Sequence, residues 1–192
     1  MTGAAAPAQP APPTRYTPMA MLLHWLLALM ILGSLSVGLY MTGLPFSPTR
    51  LKLYNWHKWA GIVILALSAL RLLWRLRHRP PPTPPTPPMA RWQRWASHGI
   101  HRLMYALFFA VPLLGWAYSS AAGFPIVVFG VLPLPDFVAP DRTLAELLKP
   151  WHGLLAKTLA AAALVHVAAA LKHQFIDRDG LLQRMLPQWS RS

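Results

Sequence analysis

Four histidines stand inside otherwise apolar stretches of this chain of 192 residues. His152 and His166 are 14 positions apart, close to four turns of a helix, so both lie on one helix face about 21 Å apart along the axis. His24 and His57 stand in two further apolar stretches. Ionisable residues inside a membrane-length helix are costly and usually face a partner in the bundle interior. These four imidazoles are therefore the first candidate ligands in the sequence.

The chain contains four apolar stretches long enough to cross a bilayer as helices. Hydrophobic residues make up 55% of the sequence and charged residues 12%, about half the charged share of a soluble domain. The stretches cover about residues 19–41, 56–76, 103–123 and 150–171, and each has roughly the 20 residues that a transmembrane helix needs. The sequence therefore predicts an all-α, integral membrane four-helix bundle and argues against a water-soluble globule.

The distribution of charge predicts the orientation of this bundle. Of the 18 basic residues, twelve precede the first span, lie at the end of the second span or between it and the third, or follow the fourth. They are Arg15, Arg71, Arg75, Arg77, Arg79, Arg91, Arg94, Arg102, Lys172, Arg178, Arg184 and Arg191. Such a surplus marks the cytoplasmic side, so we expect both the N and C termini to be cytoplasmic. The same arginines lie close to span ends and form no separate domain, so the net charge of +13 predicts contact with membrane lipid and no nucleic-acid binding.

One membrane domain is expected over residues 16–187, between a Pro/Ala-rich disordered tail at 1–15 and a short C-terminal tail at 188–192. The stretch "RPPPTPPTPPMARW" predicts a stiff polyproline connector between the second and third spans. On the opposite side, "FPIVVFGVLPLP" is too short to span and too rich in proline for a regular helix, so we expect it to pack across the mouth of the bundle. The chain has no cysteine, which excludes disulfides, iron–sulfur clusters and thiolate ligands.

Depth in the membrane pairs the four histidines. His24 lies near the cytoplasmic start of the first span and His166 near the cytoplasmic end of the fourth, while His57 and His152 lie near the opposite surface. Two pairs of facing imidazoles stacked in a four-helix bundle meet the needs of two haem b groups with two histidine ligands each. Small residues leave room for flat macrocycles: Gly33, Gly38, Gly61, Ser68 and Gly153. The alternatives are histidines that only pack or hydrogen-bond between helices, and a zinc or copper site, which the two separate depths fit poorly.

Several motifs resemble the bacterial di-haem cytochrome b561 family of four-helix membrane proteins. They are "LHW", "HKWAGI" with "LRLLWRL", "HGIHRLMYALFFAVPLLGW" and "WHGLLAKTLAAAALVHVAAALKHQFIDRDGLLQRMLP", which together cover about residues 15–187. The resemblance implies that His24, His57, His152 and His166 bind haem iron. It also implies a multi-pass electron carrier of the bacterial inner membrane that exchanges electrons with ubiquinone. Members of the family include an enzyme that oxidises superoxide at the periplasmic face.

Basic side chains beside the spans are candidates for haem propionates or for an anionic substrate. Arg71 and Arg75 could serve the cytoplasmic haem, and Lys58 and Lys149 the periplasmic one; the alternative is a lipid-facing or snorkelling role. Lys58 also forms a basic cluster with Arg50 and Lys52 that could attract superoxide, although an ordinary loop has the same composition. Lys157, inside the fourth span, is expected near the periplasmic haem or a quinone pocket.

Two questions stay open at the level of sequence. His98, His101 and His173 are interpreted as interfacial residues, with proton uptake or quinone binding as the alternative. The electron donor could be superoxide or a periplasmic redox protein. The alternatives to an oxidoreductase are a non-catalytic cytochrome b subunit that anchors a periplasmic dehydrogenase or hydrogenase, and a transporter or purely structural bundle.

Overall fold

Four long helices make up most of the molecule. The structure, a computed structural model, describes residues 15–78, 80–82 and 90–186. The helices are α1 (Pro18–Thr42), α2 (Pro48–Arg77), α3 (Arg91–Ala121) and α4 (Arg142–Lys172), and each is long and apolar enough to cross a membrane. The predicted terminal tails, except Arg15, and most of the polyproline connector lie outside the described residues. The predicted all-α membrane bundle is confirmed, while the division into domains stays a prediction.

Local signals explain where the helices begin. The side chains of Thr17, Ser47 and Asp141 accept hydrogen bonds from backbone N–H groups in the first turns of α1, α2 and α4, as N-cap residues do. α2 begins eight residues before the predicted second span, α3 twelve before the third, and α4 eight before the fourth. The helices are longer than the apolar stretches because caps and prolines, and not the bilayer boundary, determine where a helix starts.

A small apolar layer holds the four helices together at mid-height. Its buried members come from every helix: Leu27, Ile64, Leu107, Phe108 and Leu159. Many large apolar side chains point outward instead, such as Leu29, Leu32 and Leu164, as expected of helices surrounded by lipid.

The apolar loop between α3 and α4 forms a β-hairpin. Strand β1 (Val127–Val128) pairs antiparallel with β2 (Leu132–Pro133). The turn between them places Phe129 and Gly130 in the left-handed region, with φ of 52° and 76°, the pattern of a type I′ turn. We call residues 124–137 the hairpin loop. Side chains of α2 and α3 hold this hairpin, and its packing across the bundle mouth stays a prediction.

The two ends of the bundle differ in composition. The hairpin end carries the hairpin loop; the arginine end carries Arg71, Arg75 and both described ends of the chain. There the N-terminal and C-terminal segments meet: the guanidinium of Arg15 donates to the carbonyl of Gln183, and the indole N–H of Trp25 donates to that of Met185. The placement of this end in the cytoplasm remains a prediction from charge.

Candidate functional site

At the hairpin end, α2 and α4 bring two histidine side chains opposite each other, with their ring planes nearly perpendicular. The ring centroids of His57 and His152 are 6.1 Å apart. The Nδ1–H of His57 donates to the carbonyl of Ser34 at 3.0 Å, and that of His152 to the carbonyl of Val111 at 3.1 Å. A carbonyl can only accept, so each bond puts the proton on Nδ1 and leaves the lone pair on Nε2. Both rings are thus oriented as metal ligands usually are.

A glycine on the neighbouring helix makes room for each of these rings. Gly38 stands four residues after Ser34, and a Cβ atom there would lie 3.0 Å from Cε1 of His57. Gly115 stands four residues after Val111, and its Cβ would lie 2.8 Å from Cε1 of His152. The same device therefore occurs twice: a carbonyl that accepts from the ring and, one turn later, a glycine against which the ring packs. The part played by Gly115 was not predicted, since nothing in the sequence alone says which face of α3 meets α4.

The arginine end holds a second pair, on α1 and α4. The ring centroids of His24 and His166 are 6.2 Å apart. His24 Nδ1 is buried and has no hydrogen-bond partner among the residues that the structure describes. The ring of His101 lies 5.1 Å from that of His166, and its Nδ1–H donates to the carbonyl of Ser97. His101 was predicted to lie at the membrane surface. In the structure its ring instead contacts His166 of the second pair.

Both pairs have the spacing that a shared metal requires. A metal bound between two imidazole nitrogens at about 2 Å from each puts the ring centroids about 6 Å apart, because each centroid lies roughly 1 Å behind its nitrogen. The observed 6.1 Å and 6.2 Å match this geometry. A cavity of about 190 Å³ opens beside His57 and is lined by Gly33, Ser34 and Trp56, among others. The donor sets are compatible with an iron that takes its other ligands from a macrocycle.

Two arginines lie over one aromatic ring at the arginine end. The guanidinium carbons of Arg71 and Arg75 are 5.8 Å and 5.4 Å from the ring centroid of Tyr105, close enough for a cation–π contact. Arg71 is half-buried and Arg75 is exposed. The pair thus concentrates positive charge on the side of α2 that faces α3. The role of Tyr105 in holding them was not foreseen from the sequence.

The lysines predicted at the site have different surroundings. The ammonium of Lys58 donates to the carbonyls of Phe124 and Pro125 at 3.4 Å and 3.2 Å. Lys157 is exposed on α4 and makes no hydrogen bond or ion pair with any residue in the described ranges. Lys149 borders an open cavity of about 480 Å³ between the ends of α3 and α4. In the predicted basic cluster, Lys58 thus tethers the hairpin loop, and Arg50 donates to the carbonyl of Leu44.

The remaining histidines lie away from the two pairs. His173 Nδ1 lies 2.6 Å from Asp179 and 3.1 Å from Asp177, in a π-helical turn after α4 (His173–Asp177). Lys172 forms an ion pair with Asp177 at 2.6 Å, which offsets the negative charge of this group. His98 donates to the carbonyl of Arg94 in its own helix.

Comparison with known proteins identifies the family. The family model described as prokaryotic cytochrome b561 matches residues 15–188. "Cytochrome b561 homolog 2" of Escherichia coli (strain K12) is 35% identical over 91% of this chain and 92% of its own length. "Probable superoxide oxidase CybB" of Yersinia pestis is 32% identical over 91% of this chain and 97% of its own length. "Cytochrome b561 homolog 1" of Escherichia coli (strain K12) is 31% identical over 91% and 98%. The chain therefore belongs to the prokaryotic cytochrome b561 family and is a multi-pass b-type cytochrome of a bacterial membrane.

Proposed function

We propose that this protein carries electrons across the membrane between two haem b groups, one at each end of the bundle. His57 and His152 hold the haem at the hairpin end, and His24 and His166 hold the haem at the arginine end. The observation that carries the proposal is the occurrence of two facing histidine pairs with ring centroids 6.1 Å and 6.2 Å apart. The pairs lie about 21 Å apart by the rise of α4.

Other metals suit these sites less well. Zinc sites in proteins take three or four protein ligands and often include a carboxylate. All five acidic residues of the chain follow residue 135, so none of them lies on α1, α2 or α3. A haem would need only two imidazoles from the protein at each site, because its macrocycle would supply the other ligands of the iron.

The protein's own residues hold and tune the haem groups, which when bound supply reversible one-electron chemistry at their irons. The Ser34 and Val111 carbonyls fix the rings of His57 and His152. Arg71 and Arg75 neutralise the propionates at the arginine end, and Lys58 and Lys149 do so at the hairpin end. The apolar layer around Leu27 and Ile64 keeps water out of the region between the two pairs.

We further propose superoxide as the electron donor and ubiquinone as the acceptor. The relative from Yersinia pestis is named as a probable superoxide oxidase. In the balanced reaction, two superoxide anions each lose one electron and become dioxygen, and one ubiquinone takes up both electrons and two protons. Arg50, Lys52 and Lys58 put positive charge at the hairpin end, which would raise the local concentration of a small anion. That end would face the periplasm, as the positive-inside pattern predicts.

The first experiment counts haem and then tests turnover. The purified protein should show a sharp b-type band in its reduced-minus-oxidised spectrum and two haems per chain in a pyridine haemochrome assay. It should then reduce ubiquinone when superoxide is supplied. Two haems without superoxide-driven turnover would favour an anchor subunit for a periplasmic dehydrogenase or hydrogenase, and a colourless protein after expression with ample haem would contradict the whole proposal.

A further inference from the structure

The hairpin loop combines an apolar sequence with an exposed surface. Apart from Asp136, the loop contains only apolar side chains and glycine. At the tip of the hairpin, Phe129, Val131 and Leu132 are 64%, 80% and 57% exposed. A contiguous apolar surface of this kind on a protein needs a partner. The position of the loop relative to the helices indicates which partner that is.

The tethers of the loop lie well inside α2, whereas those on α3, Ser119 and Trp116, lie within five residues of its end at Ala121. The indole N–H of Trp59 donates to the Val127 carbonyl at 2.6 Å, and that of Trp116 donates to the Pro135 carbonyl at 3.2 Å. Trp59 stands 11 residues after the start of α2 at Pro48, about 16 Å along the helix axis. The hairpin therefore lies beside α2 at Val127, near the level of His57.

Two exposed tryptophans mark the membrane surface at this same level. Trp56 and Trp151 directly precede His57 and His152, and both are more than half exposed on the outside of the bundle. Exposed tryptophans at the ends of membrane spans collect at the interface between headgroups and hydrocarbon. Because the loop is tethered within three residues of Trp56 on α2, it lies at the depth of that interface.

Donors from the helices bond to part of the irregular backbone of the loop, on either side of its tip. Lys58 donates to the carbonyls of Phe124 and Pro125, and Ser119 also donates to that of Phe124. Together with the two indole bonds, side chains of α2 and α3 occupy four carbonyls of this short loop. Non-helical backbone at membrane depth is tolerated only where its polar groups are satisfied.

From these observations we infer that the hairpin loop is a membrane-inserted element. It seats Phe129, Val131 and Leu132 in the lipid of the leaflet that surrounds His57 and His152. The tip adds lipid-facing apolar surface that continues the outer face of α2, which explains why the chain keeps Phe129 in a left-handed conformation that favours glycine. The Phe129 ring packs 5.5 Å from that of Trp59, so the tip and its tether form one apolar unit.

Spin labelling tests this inference directly. The chain has no cysteine, so Val131→Cys creates a single attachment point for a nitroxide without any other change. Two further single-cysteine variants provide the references: Leu164→Cys on the lipid-facing side of α4, and Arg142→Cys, whose side chain is 92% exposed at the start of α4. The full-length variants are reconstituted into phosphatidylcholine–phosphatidylglycerol vesicles, and gel filtration and helical circular dichroism confirm that each is folded.

The measurement compares the collision rates of each label with dissolved oxygen and with a water-soluble nickel chelate. Oxygen concentrates in lipid and the chelate in water, and inserted apolar segments lie about 5–10 Å below the headgroups. We expect the ratio of oxygen to nickel collisions at Val131 to be severalfold above that at Arg142 and to approach that at Leu164. A ratio at Val131 equal to that at Arg142 would place the tip in water and overturn the inference. Low collision rates with both reagents would overturn it as well, because the tip would then be covered by protein, such as a second copy of the chain.

Discussion

The close approach of His152 to α3 makes a specific prediction about Gly115. A Cβ atom at this position would lie 2.8 Å from Cε1 and 3.1 Å from Nδ1 of the His152 ring, whereas ordinary contacts begin at 3.4 Å. In Gly115→Ala the ring must therefore move by roughly 0.6 Å, which strains its bond to the Val111 carbonyl. Overpacking of this kind costs about 1–3 kcal/mol, and loss of the group that orients a metal-binding histidine typically lowers affinity about 10- to 100-fold.

The chain supplies a graded series for this test. A Cβ at Gly38 would lie 3.0 Å from Cε1 of His57, so Gly38→Ala demands a smaller shift. Gly99 lies on the same helix as Gly115, and a Cβ atom there would have no neighbour within 4 Å. Gly99→Ala therefore measures the effect of replacing a helical glycine by alanine without a clash. Alanine is favoured over glycine in a helix by about 1 kcal/mol, so a loss of haem in Gly115→Ala could not be attributed to weaker helix formation.

The assay is the number of haems per chain in purified protein, by pyridine haemochrome, together with the reduced-minus-oxidised spectrum. We expect about one haem in Gly115→Ala, with the haem at the arginine end retained, since the orienting contact is worth roughly 10- to 100-fold in affinity. Gly38→Ala should be intermediate and Gly99→Ala unchanged. Two haems with an unaltered spectrum in Gly115→Ala would refute the reasoning, because the glycine would then have no part in positioning a ligand.

Three further predictions follow from the same geometry. His166→Ala should lose mainly the haem at the arginine end and His152→Ala the one at the hairpin end, as spectra of each variant would reveal; equal loss of both haems in each variant would contradict the pairing. Arg71→Gln should lower the reduction potential of the haem at the arginine end by on the order of tens of millivolts, since a nearby positive charge favours the reduced state; a potentiometric titration with Arg77→Gln as the control checks this. Lys58→Met removes the donor to two loop carbonyls, each bond being worth about 1 kcal/mol, so amide hydrogen exchange in the hairpin loop should become faster while that in α4 stays unchanged.

The sequence alone was enough to predict the bundle and the partners within each histidine pair. Four apolar stretches of membrane length define four spans, since hydropathy is the dominant requirement for a helix in lipid. The helical rise of 1.5 Å per residue converts positions 24, 57, 152 and 166 into two levels. The structure brings together the same partners, His24 with His166 and His57 with His152.

The contacts between helices could be identified only from the tertiary structure. In a soluble helix the polar face shows which side is buried, but a helix in lipid is apolar all round, so its sequence does not say which residues face a neighbour. The positions of Gly115 beside His152 and of His101 beside His166 depend on that rotation. The hairpin loop was harder still to foresee, because Lys58 and Trp59, which hold it on α2, lie more than 60 residues earlier in the sequence. The depth of a residue is a property of one helix and can be counted along the chain, whereas its neighbours depend on how the helices rotate and pack against one another.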